Sequence, residues 1–223
     1  MVASPAILSP DDSGGLRPYV AVHEAITNRR RGSGRQDQRA DEGVRRAQSA
    51  RRSGPKGSVR CRVRLPRLVI THGARRTIEL ELDVPVAELE SLADVVHDPG
   101  DLAAPISSGS FRTIGMAVVP CSMRTLAAIA TGNSSDLLTR AADVCLKERR
   151  RLVLATREAP LNLVHIRNME AATLAGATIF PPVPAFYHRP RGIDDLLNHL
   201  CGRILDQFGI EHALFTRWGE TES

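Results

Sequence analysis

The stretch "GMAVVPCSMRTLAAIATG", Gly115 to Gly132, decides the fold. Four apolar residues, Met116 to Val119, end at Pro120. A polar turn follows, Cys121-Ser122-Met123-Arg124-Thr125, and then a run of small and aliphatic residues that closes on Gly132. A short apolar run bounded by proline predicts a buried strand. A hydroxyl ahead of an aliphatic run predicts a helix start, and the glycine its end.

The same unit recurs on either side. Before it, "RLVIT" (67–71) predicts a strand, "HGARRTIELELD" (72–83) a helix and "ADVVHD" (93–98) a strand that leads into the loop 99–111. After it, "SSDLLTRAADVCLKERR" (134–150) predicts a helix with a capping Ser or Asp and a basic end that suits the helix dipole. "RLVLAT" (151–156) predicts a strand, and "LNLVHIRNMEAATLAG" (161–176) a helix closing on Gly176. "ATIF" (177–180) predicts a strand ended by Pro181 and Pro182. The last helix, 192–210, sets Ile193, Leu196, Leu197, Leu200, Ile204 and Leu205 on one face.

Apolar strands alternating with helices predict an α/β fold: a three-layer, Rossmann-like (flavodoxin-like) parallel sheet with helices on both faces. Ligands of such sheets sit at the carboxyl ends of the strands, at the switch point. The loops carrying Thr71, Cys121 to Thr125, Arg157 with Glu158, and Pro181 to Pro190 are therefore expected to converge. They offer hydroxyls, arginines and one tyrosine, and they carry no HExxH, GxSxG, P-loop or zinc spacing.

The totals bound the rest. A chain of 223 residues with 42% apolar content can build one ordinary core. The net charge of +5 is uneven: residues 1–66 hold 14 Lys and Arg against 6 Asp and Glu, and residues 67–223 hold 16 against 19. The expected organisation is a disordered basic segment over 1–66, a folded domain over 67–210 and a tail over 211–223. The acidic balance of the domain gives no reason to expect nucleic acid, and the arginines of the first segment lack interleaved aromatics. No apolar run approaches the ~18 residues of a membrane span, and the amino terminus lacks the basic and apolar regions of a secretory signal. Cys61, Cys121, Cys145 and Cys201 are widely spaced. They read as free thiols of a reducing compartment, which points to the cytoplasm.

Four blocks together resemble the flavin prenyltransferases (UbiX-like enzymes): "ISSGSFRTIGMAVVPCSMRTLAAIATG", "LLTRAADVCLKERRRLVLATREAPLNLVHIRNM", "GATIFPPVPAFYHRP" and "RILDQF". The resemblance runs from about Leu68 to "LFTRWG" near the carboxyl terminus. It implies transfer of a dimethylallyl group from dimethylallyl phosphate to N5 and C6 of reduced FMN without a metal. It also implies a product used by a partner UbiD-like decarboxylase, often in ubiquinone biosynthesis, and a homo-oligomer, typically a dodecamer, with active sites between subunits.

Residue by residue, the resemblance implies flavin contacts at Thr71, Ser122, Met123, Arg124, Thr125 and Arg157. It implies prenyl-phosphate contacts at Tyr187 and Arg203, and a proton-handling carboxylate at Glu81. Without it, each has a plainer reading. Ser122 and Thr125 suit a helix cap, Arg157 a surface ion pair, Tyr187 a core aromatic, and Arg203 and Glu81 solvated helix faces. His165 and His188 read as structural. Cys121 reads as a packing residue, since nothing local would lower its pKa. Leu174 stands where the family's pattern suggests an acidic residue.

One family feature is missing. The resemblance implies a first strand, a "GxSGA"-type loop and a helix that together hold the FMN phosphate, about 30 residues before Thr71. The chain there reads "DEGVRRAQSARRSGPKGSVRCRVRLP". The Ser-Gly-Gly of "SPDDSGGLRPYV" has no apolar strand leading into it. Three explanations stand: an out-of-frame or misassigned start joined to the domain near Arg67, a degenerate relative, or a distant segment replacing the loop. The abrupt change of texture fits the first best. The expected consequence is weak FMN binding, because charge-assisted bonds worth roughly 1.5–3 kcal/mol each are lost.

Overall fold

The computed structural model describes residues 18–22, 65–82 and 84–219. Six strands form one parallel sheet: β1 Pro18–Val22, β2 Leu65–Ile70, β3 Ala93–His97, β4 Gly115–Cys121, β5 Arg151–Thr156 and β6 Thr178–Ile179. Their order is β3-β2-β1-β4-β5-β6. Six helices accompany them: α1 His72–Glu81, α2 Val86–Glu90, α3 Met123–Ala130, α4 Leu137–Lys147, α5 Leu163–Leu174 and α6 Ile193–Asp206.

The strand pleat sorts side chains between the two faces. Met116 and Val118 of β4, Leu152 and Leu154 of β5 and Val69 of β2 join one core with Leu126, Leu137, Leu138 and Ala172, so α3, α4 and α5 cover that face. Their neighbours Ala117, Val153 and Ala155 meet Ile204 of α6 and, at its edge, Phe208. Leu68 and Ile70 meet Ala74 and Ile78 of α1. The predicted three layers are present. Four helix starts are fixed locally: Thr71, Ser122, Asp136 and Asn162 accept the N-cap hydrogen bonds of α1, α3, α4 and α5.

Two assignments made from the sequence change. The first gave no strand to residues 1–66. The structure corrects it at Pro18–Val22, which pairs with β2 through Val20↔Leu68 and with β4 through Val20↔Ala117, and at Leu65, where β2 already begins. A five-residue run set among arginines and glycines carries no periodicity of its own. Non-local pairing makes it a strand, and its place is the middle of the sheet. The rest of 1–66, with the readings of it as a disordered arm or misread start, lies outside the described residues. The second assignment made 211–223 a tail. Residues 211–219 instead fold back on α6. The His212 side chain is fully buried and Asp206 holds both His212 Nε2, at 3.1 Å, and Arg217, at 2.7 Å.

Candidate active site

In the order β3-β2-β1-β4-β5-β6 the chain reverses direction across the sheet between β1 and β4, so the ligand crevice is expected at their carboxyl ends. The loop after β4 is Cys121 to Thr125. The register Cys121↔Thr156 sets the end of β5 directly beside it, so Ser122 and Arg157 leave adjoining strands at the same end of the sheet. Thr71 leaves β2 at that end too, two strands from β4.

Ser122 Oγ accepts from Thr125 N at 3.2 Å, and the two hydroxyls lie 3.3 Å apart. The capping reading of this pair therefore holds, and it points the first turn of α3 at the crevice. Thr125 is buried, Met123 half-buried and Arg124 exposed. Arg157 is exposed. Thr71 caps α1 by accepting from Ala74 N at 3.2 Å. Burial pushes the Cys121 thiol up to about 12, so it is an inert packing group at neutral pH.

Thr156, the last residue of β5, was not singled out from the sequence. Its Oγ1 is buried and has no hydrogen-bond partner among the described residues. A buried orphan hydroxyl is costly unless something else satisfies it. Beside Ser122 and Arg157, it fits a ligand with polar ring atoms such as a flavin. The only sequence signal was its place before Arg157. On the phosphate side, the chain after β1 has no glycine until Gly32. The Ser-Gly-Gly at 13–15 precedes β1 in the chain, on the wrong side of the strand for a carboxyl-end loop.

The second group of candidates lies around α6. Tyr187 Oη stands 2.8 Å from His199 Nε2. The Tyr187 ring meets His188, His199 and Trp218 edge-on, at centroid distances of 5.6, 5.5 and 5.7 Å. Tyr187 is thus half-exposed and tethered by its hydroxyl, not a core aromatic. Arg203 follows His199 by one turn of α6. Its partner Asp206, at 3.3 Å, is shared with His212 and Arg217. The Arg217 hydrogen bond, with that from His212, holds the Asp206 carboxyl below the usual range. Desolvation, then His188 and Arg203, keep His199 below the ordinary imidazole value.

A cleft of about 820 Å³ opens here, lined by Tyr187, His188, Arg189, Arg191, Arg217 and Trp218 among others. None of Thr71, Ser122, Met123, Arg124, Thr125, Arg157 and Arg203 lines it. The cleft marks the Tyr187 group of candidates, whereas the crevice at the switch point is defined by the sheet. Glu81 joins neither group. It is exposed at the last position of α1, ten residues and so about 15 Å along the helix from Thr71.

Among the described residues, no three His, Cys, Asp or Glu side chains could hold a metal ion, and no helix is long and apolar enough to cross a membrane.

Residues 66–204 match the model of the Flavoprotein family. Flavin prenyltransferase UbiX of Escherichia coli (strain K12) is 55% identical over 153 residues, which span 68% of this chain and 81% of that protein. Flavin prenyltransferase UbiX of Thauera aromatica is 51% identical over 155 residues, 70% of this chain and 80% of that one. Among solved structures, AnUbiX in complex with FMN and dimethylallyl pyrophosphate superposes with a TM-score of 0.73 at 42% identity, over 93% of this chain and 99% of that one. A dodecameric FMN-dependent UbiX-like decarboxylase from Escherichia coli O157:H7 gives 0.67 at 51% identity, over 69% and 83%. With a parallel sheet of this order, a family match over residues 66–204 and identity of this level over 153 residues, the chain belongs to the Flavoprotein family and, within it, to the UbiX-like flavin prenyltransferases.

Proposed function

We propose that the chain transfers a dimethylallyl group from dimethylallyl phosphate to reduced FMN, and that the prenylated FMN serves a UbiD-like decarboxylase in the cytoplasm. The observation that carries this reading is the register Cys121↔Thr156, which sets Ser122, Thr125, the orphan Thr156 hydroxyl and Arg157 side by side at the switch point. Relatives 51–55% identical to this chain carry the name flavin prenyltransferase.

In this reading Thr71, Ser122, Met123, Arg124, Thr125, Thr156 and Arg157 hold the ring and ribityl chain of FMN. Reduced FMN, when bound, supplies the nucleophile that takes the allyl carbon. Tyr187 and Arg203 donate to the phosphate, which leaves with the electron pair of the allylic C–O bond. A carboxylate at Glu81 holds or takes the proton displaced at the acceptor nitrogen.

The distance of Glu81 from the strand ends supports a site completed by a neighbouring copy. So does α5, whose Leu163, Val164, Ile166 and Leu174 are more than half exposed while Ala172 is its buried residue. An apolar helix face of this kind is usually covered, and we assign the cover to further copies of this chain.

A second reading is an FMN-binding relative or accessory subunit with impaired catalysis. It is favoured by the absence of any glycine between β1 and Gly32. Anaerobic incubation with reduced FMN and dimethylallyl phosphate, followed by mass spectrometry of the flavin, separates the two. The proposal expects a flavin heavier by one prenyl group. Retained FMN of unchanged mass supports the accessory reading, and no retained FMN overturns both.

A further inference from the structure

The segment 181–192, which carries Tyr187, has no ladder to hold it. Its backbone hydrogen bonds are short-range: Val183 N to Pro181 O, Arg189 N to Phe186 O, and Arg191 N to the Asp195 carboxylate. A phenol on such a segment is placed by whatever its hydroxyl grips. Here it grips His199, a buried side chain on a fourteen-residue helix.

His199 is itself locked. It stacks on His188 with ring centroids 4.6 Å apart and planes 9° from parallel, and it meets Phe215 at 4.6 Å. Its Nδ1 is buried without a partner among the described residues, so Tyr187 is the hydrogen-bond partner the ring has there. Arg203 lies four residues on, which puts it one turn along the same face of α6.

We propose that His199 is a positioning residue for Tyr187: its Nε2 fixes the phenol on the cleft wall at a set distance from Arg203, so that the loop and the helix present one preformed anion-binding edge. The inference rests on the reading of Tyr187 as a phosphate contact. The groups facing His199 are Tyr187 and His188 from the loop, Arg203 and Asp206 from α6, and Phe215 from the carboxyl-terminal segment. Asp206 is engaged by Arg203, Arg217 and His212.

The chain holds two tyrosines and one tryptophan, Trp218, on the rim of the same cleft. Trp218 fluorescence reports dimethylallyl phosphate binding without turnover. The variants are Tyr187→Phe, His199→Phe, which keeps the aromatic packing, and His199→Gln, which restores a hydrogen-bonding group.

His199→Phe is expected to weaken dimethylallyl phosphate binding by about three- to tenfold, the worth of one neutral hydrogen bond. The loss should be no greater in the Tyr187→Phe, His199→Phe double variant than in Tyr187→Phe alone, and His199→Gln should recover part of it. Additive losses, or unchanged binding in His199→Phe when Tyr187→Phe weakens it, overturn the role of His199. Binding unchanged even in Tyr187→Phe overturns instead the reading of Tyr187 as a phosphate contact, and with it this use of the tether.

Discussion

The switch-point side and the Tyr187 side of the proposed site are built by opposite means. At the switch point, every residue is an extension of a strand or the first turn of a helix. Ser122 is one residue beyond β4 and caps α3, and Arg157 is one residue beyond β5. The ladder register that pairs Cys121 with Thr156 places them without further help. On the other side, Tyr187 hangs from an irregular loop, His199 sits mid-helix, and Trp218 arrives from the segment beyond α6. Only side-chain contacts among three separate stretches bring them together. Backbone pairing gives a site that resists single changes away from the strands. Side-chain assembly gives one that a single packing change can dissolve.

The largest expected effect tests the ladder side. Gly115 has φ near +150°, and an added Cβ would overlap the Arg151 carbonyl of the neighbouring strand. Gly115→Ala should cost about 3 kcal/mol or more in denaturant unfolding, because a backbone partner cannot step aside.

The assembled side should be broken at Gly202. There a Cβ would lie 2.5 Å from the Phe215 ring and 2.6 Å from His212. Gly202→Ala is expected to cost about 1–3 kcal/mol by overpacking. It should also increase protease cleavage after residue 210 while leaving the β4–β5 pairing intact. Equal loss of both sides would show that the contrast is wrong.

A smaller effect sharpens the double use of Ser122. Asp136→Ala removes a capping box from α4, outside both groups of candidate residues, and should cost about 1 kcal/mol with FMN affinity unchanged. Ser122→Ala should cost a similar amount and weaken FMN binding as well. Equal FMN affinity in the two variants would reduce Ser122 to a cap.

The smallest effect is a pH dependence. Desolvation leads the causes that hold both His97 and His199 below the ordinary imidazole value. A group depressed in the folded state takes up a proton on unfolding. Stability should therefore be level above about pH 6.5 and fall as pH drops below it. Unfolding free energies measured from pH 8 to 5 check this. The slope should lessen in His199→Gln, which belongs to the assembled side, and persist in part through His97 on the edge strand β3.

The same contrast explains what could be read in advance. Most strands and helices from Arg67 onward were legible because they carry their own period or cap: Met116 and Val118 against Ala117, Asp136 before α4, Gly176 after α5; the five-residue, uncapped α2 was not. The position of Ser122, Thr125 and Arg157 at the strand ends was legible because strand ends are fixed points of such a sheet. β1 was missed because five residues of "PYVAV" among arginines have no period, and pairing with β2 and β4 decides them. Thr156 was missed because a threonine ending a strand is ordinary until its hydroxyl is found buried and unpartnered. His199 read as one more residue of an amphipathic helix.

The sequence by itself determined the alternation of strands and helices, the parallel three-layer sheet and the family, since these rest on local periodicity, caps and contiguous motifs. Only the tertiary structure decided that a strand from the amino-terminal segment fills the middle of the sheet, that residues 211–219 close over α6, and that Tyr187 is held by His199. Each of those depends on contacts between residues far apart in the chain, and no local pattern of residues encodes them.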